Sequence, residues 1–471
     1  MEINFLIPNS ALEKITKLVF EILMRSVRKN RAMEFDISYT NKEITPWGGM
    51  IFLKQMLQKI GFREHISKCE DLPQPKSNRG HKVTTIIEAF ITSVWCGANR
   101  FMHTEVTRHD IALGRMFDWK EIPAQDTYKR FFGKFNQATN QNVSDHFYSW
   151  IFDNFKFDNF TLDIDSSVMT RYGEQEGAKK GYNPIKRGRV SHHPLIAFID
   201  DVKLVANMWL RSGDTSSSNN FLSFLEDTLS KLKNKTVGLI RLDSGFFQSN
   251  ILDYLEQKNM DYIIAAKFTH PIQRLIHDCS NWIVLDPGIE ICEQTYQSNS
   301  WEKPRRLIIV RQRIKDRPKA PGKQLKLFLE EEIFKNYRYS AYVTNMKLPP
   351  AEVWRLYRGR ANAENRIKEL KYDFGFDSFN LNGFYATEAA LTFAMIAYNL
   401  MSLFRIFVLQ EKTQKTLSTL RYRTFAVGAY FEKQNDKLVL KIALNKKRRV
   451  WFSSLWNHSR TLNYPFEIPI A

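Results

Sequence analysis

The chain has 471 residues and a hydrophobic fraction of 43%, too long for one compact domain of the usual ~100–200 residues and too apolar to be disordered. Its formal net charge of +19 points first to a polyanionic partner, nucleic acid above all. Four cysteines, Cys69, Cys96, Cys279 and Cys292, form no C-x-x-C pair, so neither a zinc site nor a disulfide framework is expected, which fits a reducing cytoplasm.

The first ten residues, MEINFLIPNS, lack the basic and long apolar regions of a secretory signal. Residues 1–34 read as an N-terminal extension, apolar and then basic, ending in RSVRKNRAME. Residues 35–155 carry apolar residues at three- and four-residue spacing, as in GGMIFLKQMLQKIGF and TTIIEAFITSVWCGANRF, which predicts a helical region. Within it, IPAQDTYKRFFGKF predicts a short helix capped by Asp126 or Thr127. Its Lys129, Arg130 and Lys134 suit either a DNA-recognition helix or a solvated face.

From residue 158 the texture changes. NFTLDIDSSV alternates Phe160, Leu162 and Ile164 with Thr161, Asp163 and Asp165, a strand pattern. HPLIAFID and KLVANMWLR predict an antiparallel hairpin turning at Asp200–Asp201. A helix at NNFLSFLEDTLSKLK, a buried strand TVGLIRLD, a helix FQSNILDYLEQKN and a strand DYIIAAKF complete the series. The order β-β-β-α-β-α-β, a meander followed by parallel strands, is that of the ribonuclease H fold. An α/β catalytic core of that type is therefore expected over 156–268 and 346–410. A β-rich insertion over 269–345, containing the basic loop KDRPKAPGKQ, interrupts it. The uncharged run Ala389–Phe404 contains Asn399 and is shorter than the roughly 20 residues a membrane span requires, so it reads as a core helix and no membrane partner is expected. A basic region, 411–471, closes the chain.

Three carboxylates stand out. Asp165 and Asp243 end apolar strands, and open α/β sheets place their sites at such carboxyl ends. Glu364 lies on a later helix within YRGRANAENRIKELKYDF. At about 100° per residue, Tyr357, Arg360, Glu364 and Lys371 fall within roughly 60° of one another, a polar stripe where a core helix would carry Leu and Ile. Each carboxylate alone has a plainer reading, as a turn, a cap or a solvated helix residue. Together they repel one another unless a cation neutralises them. All-oxygen ligation favours Mg²⁺, with Mn²⁺ as a substitute, and two such ions about 3.5–4 Å apart suit phosphodiester cleavage.

The spacing Y-x2-R-x3-E-x6-K over 357–371 resembles the YREK signature of DDE transposases of bacterial insertion sequences. With DIDSSVMTRYGEQEGAKKGYNPIKRGRVSHHPLIAF and LDSGFF, the chain is most similar to the insertion-sequence 1380 group of that superfamily, from about residue 45 to WFSSLW. The resemblance implies cleavage at the ends of a DNA element and strand transfer into a target, with two Mg²⁺ ions per site held by Asp165, Asp243 and Glu364. Ser166–Ser167 after the first aspartate is a mild variant, and Asp165 fits better than Asp163. By the same resemblance Tyr357, Arg360 and Lys371 contact phosphates beside the cut, and Trp301 in the insertion is the candidate to stack on a flipped base, with a core tryptophan as the plainer reading. It also implies terminal inverted repeats bound by the helical region, a homodimer when two ends are paired, and a bacterial, nucleoid-associated location.

The cations of KKGYNPIKRGR, among them Lys186, Arg187 and Arg189, read as DNA-backbone contacts or a solvated loop. The adjacent His192 and His193 point to opposite faces of a strand and suit structural roles better than a metal site. Glu369 points roughly 140° from Glu364 and is expected to be dispensable for cleavage. A metal-dependent nuclease without strand transfer, or a silent DNA-binding regulator, are the rival functions.

Overall fold

The computed structural model describes residues 13–14, 16–22, 35–75, 80–314, 336–411, 414–462 and 465–467. The chain divides into two compact units, Met1–Lys42 and Glu43–Ala471. In the first, residues 13–14 and 16–22 are helical, with Leu18, Val19, Phe20 and Ile22 exposed. The basic end of the extension, 25–34, and the basic loop 315–324 lie outside the described residues.

After a short strand, Ile44–Thr45, the second unit continues with helices, including α1 (Val83–Trp95), α2 (Gln125–Phe132) and α3 (Gln137–Asp153). Helix α2 follows Ala124 as its cap, two residues before Asp126, so both expected caps lie inside it, and it buries Tyr128, Phe131 and Phe132. Its Lys129 pairs with Asp126, and Lys134 donates to the Gln74 carbonyl.

A mixed sheet organises the rest. Its strands are β1 (Phe160–Ser166), β2 (Leu195–Ile199), β3 (Leu204–Trp209), β4 (Val237–Leu242), β5 (Tyr262–Ala265), β6 (Ile283–Asp286), β7 (Ile289–Tyr296), β8 (Arg305–Arg313) and β9 (Tyr337–Thr344). Among the described residues they lie in the order β6-β7-β8-β9-β5-β4-β1-β2-β3. Strands β1, β2 and β3 form an antiparallel meander, while β4 and β5 run parallel to β1. Helices α4 (Phe221–Leu232) and α5 (Ser249–Gln257) supply the crossovers into β4 and β5. The segment 269–345 continues this sheet, because β9 pairs antiparallel with β5.

After the insertion come α6 (Pro350–Arg358), α7 (Ala361–Asp373) and α8 (Phe384–Phe404). Helix α8 is apolar all round, and such a helix must be buried; only its first turn reaches solvent, and α1 and α3 pack on it. Phe384–Leu409 is long and apolar enough to cross a membrane, but 89% of an apolar 18-residue stretch within it is buried inside the protein. Its Asn399 has a backbone task. The side-chain amide accepts from Val205 N at 2.7 Å and donates to Val205 O at 2.9 Å, and so satisfies edge strand β3 from the side.

One expectation needs correcting. Cys279 and Cys292 are joined by a disulfide within the insertion. The turn at Pro287–Gly288 folds β6 back on β7, setting Ile283 opposite Ile291 and carrying the preceding Cys279 to Cys292. Cys69 and Cys96 are free and buried.

Candidate active site

Strands β1 and β4 are neighbours in parallel register, with Asp163 opposite Arg241 and Ile164 opposite Leu242. The next residues, Asp165 and Asp243, therefore leave adjacent strands at the same end of the sheet. Asp243 caps the short turn that follows, accepting from Gly245 N at 2.8 Å. Asp165 accepts from Ser166 N at 2.9 Å. Burial lifts the Asp165 carboxyl to about 6; Arg360 opposes that shift, and the negative charges of Asp243 and Glu364 add to it. These two carboxylates thus lie within electrostatic reach of Asp165.

Asp163 is bound elsewhere. It is fully buried and takes both arms of Arg241 at 2.7 Å. Arg241 also reaches Asp200 at 2.7 Å and donates to the Leu356 carbonyl at 2.6 Å, while Asp200 pairs with Arg366 on α7. This buried chain of charges ties α6 and α7 to the sheet one layer below Asp165. Its members were absent from the sequence-based site; the signal for them was an arginine inside the apolar run GLIRLD, which a buried strand tolerates only with a partner.

The stripe from Tyr357 to Lys371 is not one continuous helix. Gly359 and Arg360 form a tight turn between α6 and α7, with Arg360 N bonded to Tyr357 O at 3.0 Å and Ala363 N to Arg360 O at 2.9 Å. Such i to i−3 bonds eclipse residues three apart, which sets Arg360 over Tyr357. Glycine leaves room there for the guanidinium: a Cβ would lie 2.4 Å from Arg241 Nη1 and would displace it.

The stripe turns toward the ends of β1 and β4. Tyr357 donates its hydroxyl to Leu242 O at 3.2 Å, and burial raises its pKa. Arg360 is buried, with Nη2 3.1 Å from Asp165 Oδ1. Burial works against its charge, yet Asp165, Tyr357 and Asp243 more than compensate. Its Nε has no hydrogen-bond partner among the described residues. Lys371 donates to Val168 O at 3.0 Å, and burial lowers its pKa. Glu364 is exposed. Among the described residues no three His, Cys, Asp or Glu side chains are gathered closely enough to hold a metal ion.

Trp301 is not placed to stack on a base. It is 6% exposed, set edge-on to Phe247 and Tyr296, with the Arg305 guanidinium 4.8 Å from its ring centre. It packs the insertion against the loop that follows Asp243. Lys186, Arg187 and Arg189 are exposed, on a loop that leaves the sheet just beyond Asp165. His192 and His193 are buried and bonded to the carbonyls of Glu176 and Thr215.

Among solved structures, the chain is similar to a piggyBac transposase in a synaptic complex with hairpin DNA, studied by cryo-electron microscopy. The identity is 12% and the TM-score 0.44, over 81% of each chain. No curated protein matches it. The family model of the transposase DDE domain, group 1, matches residues 27–462. The chain therefore belongs to the DDE-domain transposases.

Proposed function

We propose that the protein is a cut-and-paste transposase of the insertion-sequence 1380 type. Its DDE site would be Asp165, Asp243 and Glu364, on a ribonuclease H-like core with strand order 3-2-1-4-5. The observation that carries this reading is the pair Asp165 and Asp243 at the ends of adjacent parallel strands, with Glu364 close enough to raise the Asp165 pKa.

The chemistry of the donor set suits a hard divalent ion, although among the described residues the three carboxylates are not gathered closely enough to hold one. Three carboxylates supply only oxygen, and burial, with smaller additions from Asp243 and Glu364, raises the Asp165 pKa, a cost to its charged form that a cation would relieve. Asp165, Asp243 and Glu364 would hold Mg²⁺ or Mn²⁺, two ions per site, which supply Lewis acidity for phosphodiester chemistry. Tyr357, Arg360 and Lys371 hold the phosphates on either side of the cut. Arg360 is suited to this because its buried Nε–H still lacks an acceptor, and a phosphate oxygen would give it a charge-assisted bond.

Water attacks the phosphorus at each element end, the P–O3′ bond breaks, and a 3′-OH is freed. That hydroxyl then attacks a target phosphodiester and displaces its 3′ oxygen. The helices of 35–155 bind the terminal inverted repeats, and a homodimer pairs the two ends.

Labelled element ends, a target plasmid and Mg²⁺ test the reading, with Asp243→Asn in parallel. Cleavage and joining by the parent are expected, with loss of at least about 100-fold in the variant. Cleavage without joining would leave a nuclease, and binding alone a regulator. An Asp243→Asn protein that cuts like the parent would sink the assignment of the site.

A further inference from the structure

Beyond the carboxylates, the ladder between β1 and β2 does not stop at the sheet. Ser167 N bonds to Pro194 O, and the chain continues into a small three-stranded flap. Its strands are Met169–Thr170, Val190–His192 and Lys179–Lys180, with Val190–His192 in the middle.

The root of the flap is rigid. Arg171 is buried and donates Nε to His192 Nδ1 at 2.9 Å and Nη1 to Asp377 O at 2.8 Å. Asn183 donates to Thr170 Oγ1 and accepts from Lys186 N, both at 2.9 Å. Gly181 and Gly213 meet backbone to backbone, where a Cβ on Gly181 would lie 1.8 Å from Gly213 O.

The segments between the flap strands are quite different. Tyr172 is 71% exposed, Tyr182 67% and Ile185 81%. They are interleaved with the exposed cations Lys186 and Arg189, and the Arg189 guanidinium lies 5.8 Å from the Tyr172 ring centre. Loops on an anchored root that expose aromatic and apolar side chains among cations suit nucleic-acid bases whose faces are uncovered. Protruding apolar residues also act as wedges between base steps. Thr170 is five residues beyond Asp165, so at ~3.3 Å per residue the flap root lies within about 17 Å of it. That span covers about five nucleotides of a strand.

We propose that this flap is a base-stacking wedge. Tyr172, Tyr182 and Ile185 engage unpaired bases of the DNA end near the cut, while Lys186 and Arg189 hold the adjoining phosphates. The proposal rests on the transposase reading for the identity of the strand, but its test needs neither metal nor cleavage.

Without divalent metal, affinity would be measured for two oligonucleotides of the same sequence. One is a fully paired duplex; the other is a fork with a five-nucleotide single-stranded arm carrying 2-aminopurine. The parent is expected to bind the fork about tenfold more tightly and to change the 2-aminopurine fluorescence. Tyr172→Ala with Tyr182→Ala should erase that preference and leave duplex affinity unchanged, while the two Tyr→Phe changes keep it. Both tyrosines are exposed, so unaltered melting of the alanine variant is expected and is measured alongside. Equal affinity of the parent for both DNAs, or a fork preference that survives both alanine changes, would overturn the wedge and leave the transposase reading intact. A parent that binds neither DNA would overturn both.

Discussion

Two glutamates on one helix face opposite fates. Glu364 is exposed beside Asp165. Glu369 is buried, pairs with Arg405 and accepts from Leu417 N at 2.9 Å. Glu364→Ala should abolish cleavage without shifting the melting temperature. Glu369→Ala strands Arg405 in the interior, and breaking such a pair costs about 3–5 kcal/mol. The activity of whatever protein stays folded should persist. Thermal melts beside a cleavage assay separate the two. A different carboxyl contributes to the pH response. Glu388 accepts from Leu210 N and Asn140 Nδ2, and burial lifts its pKa to about 7 from 4.5. The folded state then keeps a proton that the unfolded chain has lost, so stability falls as pH rises from about 4.5 to 7, by up to about 3 kcal/mol. Burial lowers the pKa of His65 and His192 and adds a change of opposite sign, so the test is the difference between parent and Glu388→Gln: denaturant melts at pH 5 and pH 8 should show the parent losing more stability, or gaining less, than the variant.

At the level of elements, the α6–α7 junction shows what pattern reading can and cannot reach. The offsets of Tyr357, Arg360, Glu364 and Lys371 were visible because one polar face on a helix is a local property. The tight turn between them was not, because Gly359 and Arg360 keep helical backbone angles. Only the Arg241 side chain beneath explains why glycine sits there. Gly359→Ala should displace Arg241 and lower stability by about 1–3 kcal/mol; urea unfolding would measure it. The same limit applies to the disulfide. Strand alternation and the Pro287–Gly288 turn were legible, but the pairing of Cys279 with Cys292 depends on hairpin register. Trp301 was marked by residue type and neighbourhood, which say nothing of burial.

For the molecule as a whole, the net charge of +19 is the term that long-range attraction to DNA depends on. Each phosphate neutralised contributes about −0.9 to the slope of log affinity against log salt. Changing Lys186, Arg187 and Arg189 together to Gln should therefore reduce that slope by about 2 to 3 if all three meet the backbone. Titrations between 50 and 200 mM salt would show it, and an unchanged slope would remove the loop from the interface. Composition announced the polyanion at once. It could not say where contact occurs, since the cations are spread along the chain and only folding brings some of them beside the carboxylates.

The insertion is not a detachable accessory. Strand β9 covers β5, its Tyr342 ring lies 4.4 Å from that of Tyr357, and Trp301 rests on Phe247, four residues past Asp243. A miniature enzyme made by joining residue 268 directly to 346 would bare the backbone of β5 along its length, an invitation to self-association. It would also remove the support behind two walls of the site. Shortening this protein while keeping its chemistry would have to begin somewhere other than the segment that looks most like an addition.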